Sequence, residues 1–170
     1  MWPPRSAAES VDASPVLRRW RVEDGPTLVA AWHDDEVIAG SLPPQDRSLD
    51  AAVRWIEGCD ERERRLLAVD RVIDLAGVCV GEVGASDIDP HRRAALLGWW
   101  IGAGHRGRGH ATAGVRLMCG LLFAKFDLRA IVAEISPDNE TSIRVATAAG
   151  FTLLRKAAGA RPHAYVRHRR

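Results

Sequence analysis

Apolar positions along the 170-residue chain change their period several times, and each change predicts an element. Residues 16–20, with Val16, Leu17 and Trp20, read as a first strand. Asp24 then offers an N-cap to a helix carrying Leu28, Val29 and Trp32 at helical spacing. Residues 40–44, bounded by Gly40 and Pro44, break the chain, and residues 48–59 place Leu49, Val53 and Ile56 on one helical face. A charged run at 60–65 leads into three strand-like segments, 66–73, 77–85 and 94–101. Short polar turns divide them, including Asp87 to Pro90, so neighbouring antiparallel pairing is the natural arrangement.

The second half changes character. A Gly and Arg loop at 102–109 opens a long helix reaching Phe126, with Val115, Met118, Leu122 and Phe126 in one apolar stripe. Residues 130–136 read as a strand and Pro137, Asp138 and Asn139 as a turn. A short helix at 141–149 follows, ended by Gly150 in the position that favours glycine. Two closing strands, 151–157 and 163–168, give the order β-α-α-β-β-β-α-β-α-β-β without internal repeat. The expectation is an α/β (α+β) fold: one domain at 15–170, with a mixed, mostly antiparallel central sheet of about seven strands and flanking helices. Residues 1–14, rich in Pro, Ser and Ala, are expected to form a loose leader.

Composition narrows the classes. A formal charge of +2 gives no ground for a nucleic-acid or membrane surface, and the closing Arg167, His168, Arg169 and Arg170 read as a solvated terminus. No apolar stretch reaches the ~20 residues that span a bilayer. Cys59, Cys79 and Cys119 are widely spaced, without a CxxC, and read as reduced thiols of a cytosolic protein. His105 and His110 lie five residues apart, which is not a one-face helical pair, so no metal site is expected.

The strand at 94–101 feeds the glycine loop, and the loop opens a helix. Glycines let backbone N–H groups approach an anion, and the helix start favours phosphate. Arg106 and Arg108 add positive charge, so a pyrophosphate ligand is a physical expectation; a plain Gly-rich turn with two exposed arginines is the alternative. Gly102, Gly104 and Gly107 also fit the dinucleotide GxGxxG. Too little chain follows for the remaining units of a Rossmann domain, and no acidic residue ends the next strand. No Gly-Lys-Ser/Thr is present for a P-loop.

The same loop reads Arg106-x-x-Gly109-x-Ala111, which resembles the acyl-CoA signature of the GNAT acetyltransferase superfamily. About 30 residues on, the distance one helix and one strand require, stands a second block. Asn139, Ser142, Arg144, Val145, Ala146, Gly150 and Phe151 resemble the N-x-x-S-x-R-V-A-x-x-x-G-F block of the branch containing the ribosomal-protein N-terminal (Rim-type) acetyltransferases. Leu17, Arg18, Arg19 and Trp20 with Glu23 and Asp24 are similar to that branch's opening, so the resemblance spans about 16–166. It implies acetyl-CoA as cofactor and a sheet splayed between the fourth and fifth strands. Backbone of Trp100, Ile101 and Gly102 would run beside the pantetheine arm. Amides of Arg106, Gly107, Arg108, Gly109, His110 and Ala111 would cradle the pyrophosphate, with Thr112 close behind. Asn139 would hydrogen-bond the pantetheine; a helix-start cap is its other reading.

The implied chemistry is acetyl transfer to a primary amine, a protein N-terminus or a small molecule. The amine arrives as an ammonium, so a carboxylate or a water it holds must remove a proton. The family's frequent glutamate falls on Leu96 and its tyrosine acid on Ala146, so the usual pair is missing. Glu134, on a strand face with Val132 and Ser136, resembles the base of some N-terminal-amine acetyltransferases; an exposed sheet face explains it equally. Ser142 resembles the hydroxyl that stands near the coenzyme sulfur, with a first-turn capping hydroxyl as its other reading, and Glu82 is the reserve base, with a solvent-facing strand residue as its other reading. The tryptophans Trp20, Trp32, Trp55, Trp99 and Trp100 either line an acceptor pocket or build core. Two other readings stand beside the enzyme: an acyl-CoA-binding sensor without turnover, and a nucleotide-dependent oxidoreductase. Pairing through the terminal strands, common in relatives, makes a homodimer the expected assembly.

Overall fold

Seven strands make one mixed sheet in the order β1-β2-β3-β4-β5-β7-β6. The computed structural model describes residues 14–41 and 43–169; all but the last residue of the expected leader lies outside the described residues. The strands are β1 (Val16–Arg18), β2 (Ala68–Leu75), β3 (Val78–Asp89), β4 (Ala94–Ile101), β5 (Ala130–Ile135), β6 (Thr152–Arg155) and β7 (His163–His168). Neighbours pair antiparallel except β4 and β5, which run parallel. That parallel join is short. It spans Ala94 to Leu96 against Ala130 to Val132, and from Gly98 onward β4 is paired only with β3. The sheet therefore splits between its fourth and fifth strands, as expected.

The helices are α1 (Gly25–Trp32), α2 (Asp35–Gly40), α3 (Leu49–Glu57), α4 (Cys59–Arg64), α5 (His110–Lys125) and α6 (Glu140–Ala148). Two of them, α2 and α4, the apolar pattern does not announce. In α2 the start is fixed by Asp34, whose carboxylate accepts from the N–H groups of Glu36 and Val37. In α4, charged along most of its length, the register is set by Glu63, which is buried and accepts from Arg71 and Lys125. The expected first strand ends at Arg18 instead of Trp20. Arg18 is drawn inward by Asp24 and Asp74 at 2.6 Å each, and Trp20 turns under the helices. The next strand starts at Ala68 because Leu66 takes a left-handed backbone, φ +56°. β3 absorbs the predicted turn at Asp87 through a register shift between Ser86 and Asp89.

Two apolar clusters sandwich the sheet. The larger joins Val69, Ile73, Val83 and Leu97 to Val115, Met118 and Leu122 of α5. Helix α5 lies unusually close here: a Cβ on Gly114 would stand 2.5 Å from Ile73 Cδ1. The smaller cluster, on the opposite face, packs Trp20, Leu28, Trp32, Ala52 and Ile56 over Val72 and Cys79, with Trp55 and Trp100 at its margin. Among the described residues, no helix is long and apolar enough to cross a membrane.

Candidate active site

Strand β4 and helix α5 build the first half of the site. Gly109 precedes α5 in a left-handed conformation, φ +81°, as does Gly107 at +74°, and a Cβ at either would meet nothing within 4 Å. Space therefore opens directly over the helix start. The N–H of Ala113 bonds to the Gly109 carbonyl, but among the described residues the amides of Gly107 through Thr112 find no acceptor. Unsatisfied amides converging at the positive end of a 16-residue helix suit a pyrophosphate. His105 Nδ1 and His110 Nε2 are also shut from solvent without a partner, and burial, then His105 and Arg108, hold His110 below the usual imidazole range. The split between β4 and β5 leaves the edge of Gly98 to Ile101 unpaired on its β5 side, with backbone groups open to an extended ligand.

Arg106 departs from its expected part. Its guanidinium donates to Asp34 at 2.7 Å, lies 3.2 Å from Glu36 and donates through Nε to the Ile101 carbonyl at 3.0 Å. It ties the loop to α2. Arg108 remains exposed. Asn139 acts as the cap of α6, its Oδ1 accepting from the Ser142 N–H at 2.9 Å, while its amide NH2 stays free among the described residues. Ser142, half-buried in the first turn of α6, has a hydroxyl without a partner among the described residues. Ala146 is fully buried.

The two carboxylates singled out in the sequence sit in contrasting places. Glu134 is exposed on β5 and paired with Arg155 at 3.3 Å. Glu82 is half-buried on β3, its Oε2 accepting from Trp100 Nε1 at 2.6 Å. Burial first, and the nearby Asp70 charge second, push its carboxyl up to about 8, against the opposing Trp100 bond and Arg62 charge. The strand registers set Val72, Glu82 and Trp100 in one row and Asp70, Gly84 and Gly98 in the next, on the same face as Leu96. Sequence reasoning missed Asp70 and Arg62. Asp70 is buried at 8% exposure and accepts from Arg62 at 3.2 Å, and the Arg62 guanidinium also lies 4.4 Å from the Trp55 ring centre. An acid on the inward period of a strand was the one available signal. The Cys59 thiol beside Arg62 is pushed up to about 12 by burial, which leaves it inert as a nucleophile.

Residues 16–152 match the family model described as Acetyltransferase (GNAT) domain. The chain belongs to the GNAT acetyltransferase family. It is thus an acetyltransferase, and acetyl-CoA is the cofactor of its family. A curated relative, the Uncharacterized N-acetyltransferase p20 of Bacillus licheniformis, is 26% identical over 141 residues, covering 79% of this chain and 77% of the relative. Among solved structures, RimL, a ribosomal L7/L12 α-N-protein acetyltransferase in complex with coenzyme A, superposes with a TM-score of 0.77. It is 20% identical, over 93% of this chain and 96% of that one. The microcin C7 self immunity acetyltransferase MccE, in complex with acetyl-CoA and AMP, gives 0.76 at 18% identity, over 92% and 93% of the two chains. The aminoglycoside acetyltransferase AAC(6')-Ib with coenzyme A and kanamycin gives 0.74 at 20% identity, over 92% and 95%. At such identities the structures speak for the GNAT fold.

Proposed function

We propose that this GNAT protein transfers the acetyl group of acetyl-CoA to a primary amine, a protein N-terminus or a small molecule, in the cytosol. The observation that carries the cofactor side is the row of unsatisfied amides from Gly107 to Thr112, opening beside the β4–β5 split. Acetyl-CoA supplies the acyl group already activated as a thioester, so the amine attacks it directly and no enzyme nucleophile is needed. The amides of Gly107 to Ala111 hold the pyrophosphate, with Thr112 behind them. The open edge of Trp100, Ile101 and Gly102 guides the pantetheine, and Asn139 reaches it through its free amide. Ser142, with its unpartnered hydroxyl near the start of α6, donates a proton to the departing thiolate. Glu134 and Glu82 are the two carboxylates able to take the ammonium proton.

A thermal shift with acetyl-CoA, CoA and NAD, run on the native chain and on Gly109→Trp, tests the reading. Stabilisation by the two coenzyme A ligands alone, lost in the variant, is the expected result. A shift that the variant keeps, or none at all, removes the loop from the site. A second reading, an acyl-CoA-binding module without turnover, draws on Leu96 and the buried Ala146, which leave the family's usual acid and base positions empty. Free thiol released across a broad amine panel separates the two. Assembly as a homodimer remains part of the proposal and is read by the mass in solution.

A further inference from the structure

The Asp70 and Glu82 carboxylates converge on a glycine. A Cβ placed on Gly84 would lie 2.9 Å from Asp70 Oδ1 and 3.5 Å from Glu82 Oε1, so any side chain there would separate the two acids. Gly98, the cross-strand partner of Gly84, is exposed, and its Cβ position meets nothing within 4 Å. The pair thus stands beside a bare floor on the sheet face that also carries Leu96, the position where the family's glutamate falls. Beyond Leu96 the same strand loses its partner β5, the edge to which the proposed function assigns the pantetheine arm.

Among the described residues each carboxylate accepts from a single side chain. Trp100 donates to Glu82, and Arg62 donates to Asp70 from α4. Arg62 is shared, since it also donates to the Trp55 carbonyl at 3.0 Å. The remaining ionisable neighbours are Cys59 on α4 and Cys79 on β3, both neutral thiols pushed up by burial, and the Arg71–Glu63 ion pair, whose opposite charges both act on Asp70. One guanidinium therefore faces two carboxylates, and like charges this close do not both ionise readily. A cleft of about 310 Å³, lined by Trp20, Ile56, Cys59 and Asp70 among others, brings solvent to the Asp70 end. Trp20, only 7% exposed, carries an indole N–H with no acceptor and tilts against Trp100 at 6.4 Å.

We propose that Asp70 and Glu82 work as one proton-holding pair beside the Gly84–Gly98 floor, with Glu82 the general base for the acceptor and Asp70 the positioning residue that tunes it. The inference rests on the acetyltransferase reading. The incoming ammonium gives one N–H proton to the Glu82 carboxylate and becomes a neutral amine. That nitrogen forms the new N–C bond as the C–S bond breaks; its second proton replaces the one that the Ser142 hydroxyl gives to the leaving thiolate. The proton on Glu82 departs through Asp70 and the cleft to water. Glu134, exposed and neutralised by Arg155, has no such coupling.

The test uses the full chain labelled with 13C in its glutamate carboxyls, Glu82 being assigned by its loss in Glu82→Gln. A titration midpoint near pH 8 is expected, falling by about one pH unit or more in Asp70→Asn, the scale of a neighbouring charge. Thiol release from acetyl-CoA, with short unblocked peptides and alkyl diamines as acceptors, should fall about 10²–10⁴-fold in Glu82→Gln, the scale of a lost general base. KM for acetyl-CoA should hold. Asp70→Asn should move the acid limb of the pH profile down with the carbon midpoint, which a merely structural role would not do. An ordinary carboxylate midpoint for Glu82, or a midpoint indifferent to Asp70→Asn, overturns the pair. Turnover lost in Glu134→Gln and kept in Glu82→Gln overturns the base, as does a native chain that binds acetyl-CoA but releases no thiol. Failure of the native chain to bind acetyl-CoA is a separate result and defeats the acetyltransferase reading itself.

Discussion

Under α5 the sheet presents Val69, Ile73, Val83 and Leu97 to Val115, Met118, Cys119 and Leu122, and nearly every one of these side chains is closed to solvent. Under α1, α3 and α4 the opposite face of β2 to β4 presents Asp70, Glu82 and Trp100 beside two glycines, roofed by tryptophans and Arg62. A pleated strand gives its two faces alternate residues, so one segment of chain supplies both environments at once. The difference shows where this fold keeps its stability and where it keeps its chemistry. The α5 face fills space with apolar groups. The other face leaves space open and tolerates buried charge, which costs free energy unless partners compensate it.

Substitutions that distinguish the faces should differ in kind as well as in size. Leu122→Ala, in the fully buried stripe of α5, is expected to lower unfolding free energy by about 2–5 kcal/mol, the range of large-to-small core changes. The pH profile of thiol release should keep its shape. Chemical denaturation alongside a pH–rate series reads both quantities, and a displaced profile would mean the faces are not independent. Gly114→Ala probes the same face by overpacking. Its Cβ would press on Ile73 Cδ1 at 2.5 Å, so a cost of about 1–3 kcal/mol is expected, partly offset by the better helix propensity of alanine. A gain in stability would show that Ile73 can swing away.

On the other face the expected signature is pH dependence. Glu82 has a folded-state pKa raised from 4.5 to about 8. A carboxyl raised in this way binds its proton more tightly in the folded protein. Its contribution is therefore most favourable below pH 4.5 and declines steadily as pH rises towards 8. Glu82→Gln removes that decline. The melting temperature of the variant relative to native should climb between pH 5 and pH 8 and level off above it. A flat difference across that interval would place Glu82 among ordinary surface acids.

Legibility in the sequence followed the same division. The α5 stripe of Val115, Met118 and Leu122 is written at helical spacing, and the Arg106-x-x-Gly109-x-Ala111 loop carries its own glycines, so the loop and the helix it opens were legible in the letters. Family membership followed, as the match over residues 16–152 bears out. The acceptor half has no such code. Helices α2 and α4 are set by single polar contacts, Asp34 capping one and Glu63 anchoring the other, and neither leaves an apolar period. The convergence of Asp70 and Glu82 depends on antiparallel register, which brings together residues twelve positions apart and becomes visible only once β2 and β3 are paired. Arg106 was read as a charge for phosphate because no local pattern could reveal its partner Asp34, 72 residues away.

That last contact joins the two halves and gives the smallest expected effect. Asp34 caps α2 and holds the Arg106 guanidinium, whose hydrogen bond keeps the Asp34 carboxylate below the usual range. Asp34→Ala removes both contacts, with a stability loss of about 1 kcal/mol, typical of a lost cap. Two outcomes for acetyl-CoA are physically distinct. If Arg106 is a strut, its release loosens the loop where it grips the Ile101 carbonyl, and the KM for acetyl-CoA rises a few-fold. If Arg106 is a phosphate ligand restrained by Asp34, its release adds a free cation beside the pyrophosphate and KM falls, most clearly at low salt. Three contacts on one guanidinium, two of them to acids and one to the backbone at the end of β4, favour the strut. A rise in KM that persists at high ionic strength is therefore the expected result.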